Sequence, residues 1–134
     1  GPGPGAERED MIRPIVRQTL LAVRRLHDFG IAHRDISLEN ILVSEGKDGH
    51  PEVKLIDFGA ASIVQESIQV SGKPSYIAPE MYQGEFYDAF LSDNFALGVV
   101  VFSLAAAAYP WNSTKPGACR VFDFVRAQGL RAYF

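Results

Sequence analysis

The chain holds a single cysteine, Cys119, among 134 residues. An intrachain disulfide is therefore impossible, and this cysteine usage fits a reducing, intracellular compartment, with the cytoplasm as the expected location. Positive charge has no pattern. Thirteen Lys and Arg against 16 Asp and Glu give a net charge of −3, and Arg17, Arg24, Arg25, Lys47, Lys54 and Lys73 are scattered rather than gathered into a stripe. That argues against a nucleic-acid or anionic-membrane surface. No apolar run reaches the roughly 20 residues that span a bilayer, and the longest, residues 95–109, reads as a buried core helix. The start, Gly1-Pro2-Gly3-Pro4-Gly5, is followed by charge rather than an apolar core, so no secretory signal is read there. Pro2 and Pro4 lack an N–H and no strand precedes them, so this segment is no phosphate-cradling loop either.

What is present is an ordinary globular balance, 47% apolar and 22% charged, enough for one small domain with a core. Residues 1–10 read as a flexible Pro/Gly-rich segment, extended over 1–5. Ile12, Ile15, Val16, Leu20, Val23 and Leu26 recur at three-to-four spacing and predict a helix over 10–29, with Pro14 in its first turn and Gly30 as its C-cap. Residues 41–43 and 53–56 read as two short strands joined by turn chemistry at Gly46, Gly49 and Pro51. Residues 60–77 lack periodicity and read as a long surface loop. The apolar helix over 95–109 would be capped by Asp93 and ended by Pro110. A last amphipathic segment, 118–127, carries Val121, Phe122 and Val125 on one side and stops at Gly129.

Chemistry concentrates at the two ends of the expected hairpin. His33-Arg34-Asp35-Ile36-Ser37-Leu38-Glu39-Asn40 precedes the first strand, and Asp57-Phe58-Gly59 follows the second. Asp and Asn alone more often cap turns. Two acids and an amide brought together by one hairpin instead suit a proton acceptor beside hard oxygen donors for magnesium, which takes few protein ligands. His33 has no second His or Cys at metal spacing and reads as structural, and His27 and His50 read as surface residues.

In order and separation, H-R-D-x-x-x-x-N, D-F-G and Ala78-Pro79-Glu80 resemble the catalytic loops of protein kinases. The resemblance covers roughly residues 11–129. It implies a fold that is mainly α with a short β-hairpin, an incomplete protein-kinase-like large lobe over residues 11–134. It also implies ATP and Mg2+ as cofactors and a protein hydroxyl as substrate. On the same basis Asp35 would be the base, Asn40 and Asp57 would hold magnesium and nucleotide, and Asp93 would support the catalytic-loop backbone. Arg34 would bind a phosphate on the activation segment, with Ser67 and Ser71 as acceptors, unless these are simply solvated hydroxyls. Residues 72–80 resemble a polypeptide-docking stretch, and Glu39 sits where an acid contacts basic substrate residues in some kinases. Nothing resembles the Ala-Ala-Arg or Arg-Ala-Ala pattern of tyrosine kinases, which implies Ser/Thr specificity.

Two departures stand out. The family usually has Lys where Ser37 stands, and Thr where Lys73 stands. These positions face each other across the family's active site, so either Lys73 supplies the ammonium and Ser37 the hydroxyl, or catalysis is weakened. The Gly-rich loop, the V-A-I-K-type lysine with its glutamate partner, and the hinge are not found in the sequence. The missing small lobe, in this or another chain, is thus an expected partner, and the isolated chain is expected to be inactive. The competing reading is a pseudokinase-like lobe that serves as a protein-binding scaffold.

Overall fold

The computed structural model describes residues 4–133. The longest element, α1 (Pro4–Asp28), begins earlier than its periodicity predicts. Residues 4–10, expected to be extended or flexible, are helical, and Gly1 to Gly3 lie outside the described residues. The early start has a tertiary anchor: Arg8 donates from Nε and Nη2 to the carbonyl of Leu104, at 3.0 and 2.7 Å. Pro14 consequently sits inside the helix rather than in its first turn, where it removes one i→i−4 bond. Thr19 and Val23 are the buried residues of α1, whereas Leu20, expected on the inward face, is 44% exposed. The helix ends where Gly30 turns left-handed (φ 76°) and Ile31 N bonds back to Leu26 O at 2.8 Å.

Strands β1 (Ile41–Glu45) and β2 (Pro51–Leu55) form an antiparallel hairpin in which Ile41 faces Leu55 and Glu45 faces Pro51. Pro51 is thus a strand residue, not part of the turn. On the side away from β1, Gln18 of α1 accepts from Val53 N at 2.9 Å and donates to Pro51 O at 2.7 Å. Two further strands, β3 (Glu66–Ser67) and β4 (Tyr87–Asp88), pair antiparallel and pin the middle of the long loop. That loop is not all surface: Tyr76 and Ile77 are buried, clamped by Trp111 Nε1 on Ser75 O and by Thr114 on Pro74 O and Ile77 O.

Helix α2 (Ala89–Ala106) is the central element, followed by α3 (Arg120–Gln128) and the short α4 (Leu130–Tyr133). Its cap is Asp88, whose side chain accepts from Phe90 N and Leu91 N, so Asp93 lies inside the helix rather than at its start. It ends at Ala107, in left-handed conformation, before Pro110. With 18 residues, α2 is long and apolar enough by composition to cross a bilayer, longer than the 95–109 run suggests. Here Ala96, Leu97, Val99 and Val100 pack with Val23, Ile36, Tyr76, Trp111, Phe122 and Val125 in the main core cluster. Val121, expected on the buried side of α3, is 43% exposed.

Candidate active site

The Asp35 loop is built on buried acceptors. Arg34 takes a positive φ of 71°, which costs a branched or long side chain free energy unless its surroundings fix it. Asp93, 2% exposed within α2, supplies that fixation. Its Oδ2 accepts from His33 N and its Oδ1 from Arg34 N, both at 2.9 Å. One buried and one part-buried backbone N–H group are thus satisfied. His27 Nε2 lies 2.8 Å from the same Oδ2 and its ring packs on Phe90, so His27 is a half-buried partner of the loop, not a surface residue. His50 is exposed, as expected.

His33 is fully buried and structural. Its Nδ1 accepts from Asp35 N at 3.1 Å, so Nε2 carries the proton that meets Ile56 O at 2.8 Å. The ring therefore ties the Asp35 loop to the strand that leads to Asp57. A second tie is Ile56 N on Asn40 O, at 3.0 Å. With Ile41 opposite Leu55, these contacts bring the two acidic motifs side by side.

Asn40, 5% exposed, commits its amide NH2 to Asp35, donating to the main-chain oxygen at 2.7 Å and to Oδ2 at 3.1 Å. Its carbonyl oxygen takes no part in those two bonds and has the chemistry of a hard-cation ligand. Asp57 is exposed, holds a positive φ of 59°, and accepts only a 3.3 Å bond from Gly59 N among the described residues. One amide oxygen and one exposed carboxylate fit magnesium, which keeps its remaining positions for water and phosphate oxygens. No cluster of three His, Cys, Asp or Glu at metal-ligating spacing occurs among the described residues, so an all-protein metal cage is not what this site offers.

Lys73 reaches in from the long loop. Its Nζ stands 3.0 and 3.2 Å from the two Asp35 carboxylate oxygens, 3.1 Å from Ser37 Oγ and 3.8 Å from a Glu39 carboxylate oxygen. Gly72 permits the approach through its backbone: φ is 111°, which L side chains rarely adopt, whereas an added Cβ would meet Arg34 O at an ordinary contact distance of 3.6 Å. Beside this contact the Tyr76 hydroxyl accepts from Leu38 N at 3.3 Å, and burial first, then its hydrogen bond with Tyr109, push its phenol well above the ordinary range.

Of the expected regulatory residues, Ser71 donates to Arg34 O at 2.9 Å, whereas Ser67 lies in β3 with its Oγ accepting from Gln69 N at 3.2 Å. The Arg34 guanidinium donates to Gln69 O at 3.0 Å and to Tyr87 Oη at 2.8 Å. Tyr87 and His27 escaped the sequence reading because their partners lie 53 and 66 residues away in the chain. A Tyr followed by the helix-capping Asp88 was the only local signal.

A family model described as the protein kinase domain matches residues 5–126. The serine/threonine-protein kinase kin-29 of Caenorhabditis briggsae is 38% identical over 83% of the chain, which covers 14% of that protein. CBL-interacting protein kinase 29 of rice (Oryza sativa subsp. japonica) is 36% identical over 83% of the chain, covering 25% of that protein. Human serine/threonine-protein kinase ULK1 is 34% identical over 85% of the chain, covering 12% of that protein. The chain thus spans a quarter or less of the length of these relatives.

Proposed function

Because the chain belongs to the protein kinase domain family, we propose that it is large-lobe machinery of a serine/threonine kinase, transferring the γ-phosphoryl group of ATP to a protein hydroxyl inside the cell. The observation that carries this is the Asp35 cluster: a carboxylate oriented by the Asn40 amide and faced by the Lys73 ammonium at 3.0 Å. In this reading Asp35 accepts the proton of the attacking serine or threonine hydroxyl as its oxygen bonds to phosphorus and the bond to the leaving diphosphate oxygen breaks. Asn40 Oδ1 and the Asp57 carboxylate would hold magnesium, which neutralises phosphate charge when bound. Lys73 supplies the point charge that steadies the transferring group, and Ser37, fully buried, supplies a hydroxyl to it. Residues 72–80 present the polypeptide substrate. The small lobe, in the same or another chain, completes nucleotide binding.

The test is phosphotransfer by the kinase that contains this chain. Asp35→Asn should lower turnover by about 10²–10⁴-fold with magnesium-dependent nucleotide binding retained. Lys73→Ala should lower it more than Lys73→Arg, and wild-type rates in both would remove Lys73 from the reaction. Ser37, where the family has Lys, favours the second reading, a scaffold without turnover. Partner binding that survives Asp35→Asn in a wild-type protein with no phosphotransfer would establish it.

A further inference from the structure

The segment from Ser67 to Gly72 lies over the Asp35 loop and is held there entirely by uncharged acceptors. Arg34 donates from Nη2 to the main-chain oxygen of Gln69 at 3.0 Å and to the hydroxyl of Tyr87 at 2.8 Å. The Tyr87 hydroxyl in turn donates to the same Gln69 oxygen. Ser67 is paired with Tyr87 through the β3–β4 ladder, so Tyr87 grips the segment by its backbone at one residue and by its side chain two residues on. At the far end, Ser71 donates to Arg34 O at 2.9 Å. Tyr87 is 5% exposed, so this triangle of Arg34, Tyr87 and Gln69 is anchored on one side in the packed cluster of Ala32, Ile77, Met81 and Ala89.

We infer that Tyr87 is a positioning residue whose hydroxyl, with Arg34, orders residues 67–72 over the Asp35 loop without any phosphoryl group on that segment. Three features point the same way. The Arg34 Nη2 that reaches the segment already has two acceptors, a carbonyl and a phenol oxygen, while Nε is buried without a partner among the described residues. The Ser71 hydroxyl is committed to the loop it would have to leave on modification. The cavity lined by Arg34, Ser71, Gly72, Tyr76 and Asp93 holds about 10 Å³, room for roughly one water molecule and far too little for a phosphate with its ligands. The clamp depends on the kinase reading only for its consequence, an activation segment that is set without an upstream kinase. Order and phosphotransfer are measured separately, so either can fail alone.

Amide hydrogen exchange of residues 66–72 in the unphosphorylated chain is the experiment, with the amides of 96–100 in α2 as the fold reference. The wild-type segment should be protected. Tyr87→Phe keeps the ring in the cluster and removes only the hydroxyl, and should speed exchange in this segment by about tenfold, as losing a hydrogen bond to a charged group does. Arg34→Lys should loosen the same amides, since a lysine ammonium cannot hold both acceptors in one plane. Phosphoserine installed at position 67 or 71 should not raise protection above the unmodified level. A wild-type segment that exchanges at the unprotected rate, Tyr87→Phe and Arg34→Lys chains indistinguishable from wild type, or protection gained only with phosphoserine would each overturn the inference.

Discussion

The two ends of the β1–β2 hairpin are held in opposite ways. Before β1, the Asp35 loop is fixed by the buried Asp93 carboxylate, by the His33 ring and by the Asn40 amide. After β2, Asp57 is exposed and left-handed, Phe58 is 46% exposed with its ring 5.0 Å from that of His33, and Ile63 is 84% exposed. The group that would take a proton must be aimed before substrate arrives, because misplacement of the order of an ångström costs large factors in rate. The Asp57 carboxylate can take its geometry from an ion and the phosphates it meets and so stay loose until then, whereas Asn40, on the rigid side, is held by its bonds to Asp35.

The sharpest way to break this contrast is at its rigid end. Asp93→Ala leaves the buried His33 N–H, the part-buried Arg34 N–H and His27 without their acceptor. We expect a loss of about 3–5 kcal/mol in urea-induced unfolding, a large share of what a domain this size possesses. A loss below about 1 kcal/mol would mean that the loop is held by something else.

A smaller effect is expected at Asp88, which caps α2 and so sets the helix that presents Asp93. Burial alone would raise its carboxyl, but hydrogen bonds from Gln65 and from the Leu91 and Phe90 amides outweigh it and hold the group below the ordinary range. A depressed folded value means the stabilisation is complete above the unfolded carboxyl value of about 3.9 and is lost as pH falls through the lower folded one. Asp88→Ala should cost about 1 kcal/mol at neutral pH. Asp88→Asn, which cannot ionise, should remove that part of the acid-induced loss, as followed by helical circular dichroism between neutral and acidic pH.

The smallest effect belongs to the loose end. Asp57 holds a φ of 59° that glycine adopts without strain. Asp57→Gly should therefore leave unfolding within about 0.5 kcal/mol of wild type or slightly raise it, while magnesium-dependent nucleotide binding by the whole kinase is lost. A destabilisation rivalling that of Asp93→Ala would abolish the distinction between the ends.

Much of this was legible in the chain because short-range rules carry it. The hairpin and the stop at Gly129 follow from period and turn chemistry, and the Asp35 motif announces itself by residue type. What escaped rests on distant partners. Pro4 to Asp10 read as flexible from composition, yet Arg8 ties that turn to the carbonyl of Leu104. Asp88 and Asp93 both suit a helix start; the N–H groups of His33 and Arg34 draw Asp93 into the helix body, and Asp88 becomes the cap. Tyr76 and Ile77 sit in an aperiodic stretch, and only the clamp from Trp111 and Thr114 buries them.

The paired contacts of Gln18 carry a consequence for solubility. A hairpin of two strands presents a free edge on each side, and an unpaired edge invites another chain to add a strand. By accepting from Val53 N and donating to Pro51 O, a single side-chain amide does to β2 what a neighbouring peptide group would do. The side of the hairpin facing α1 is thereby closed to growth, and a helix residue acts as a one-residue guard against self-association.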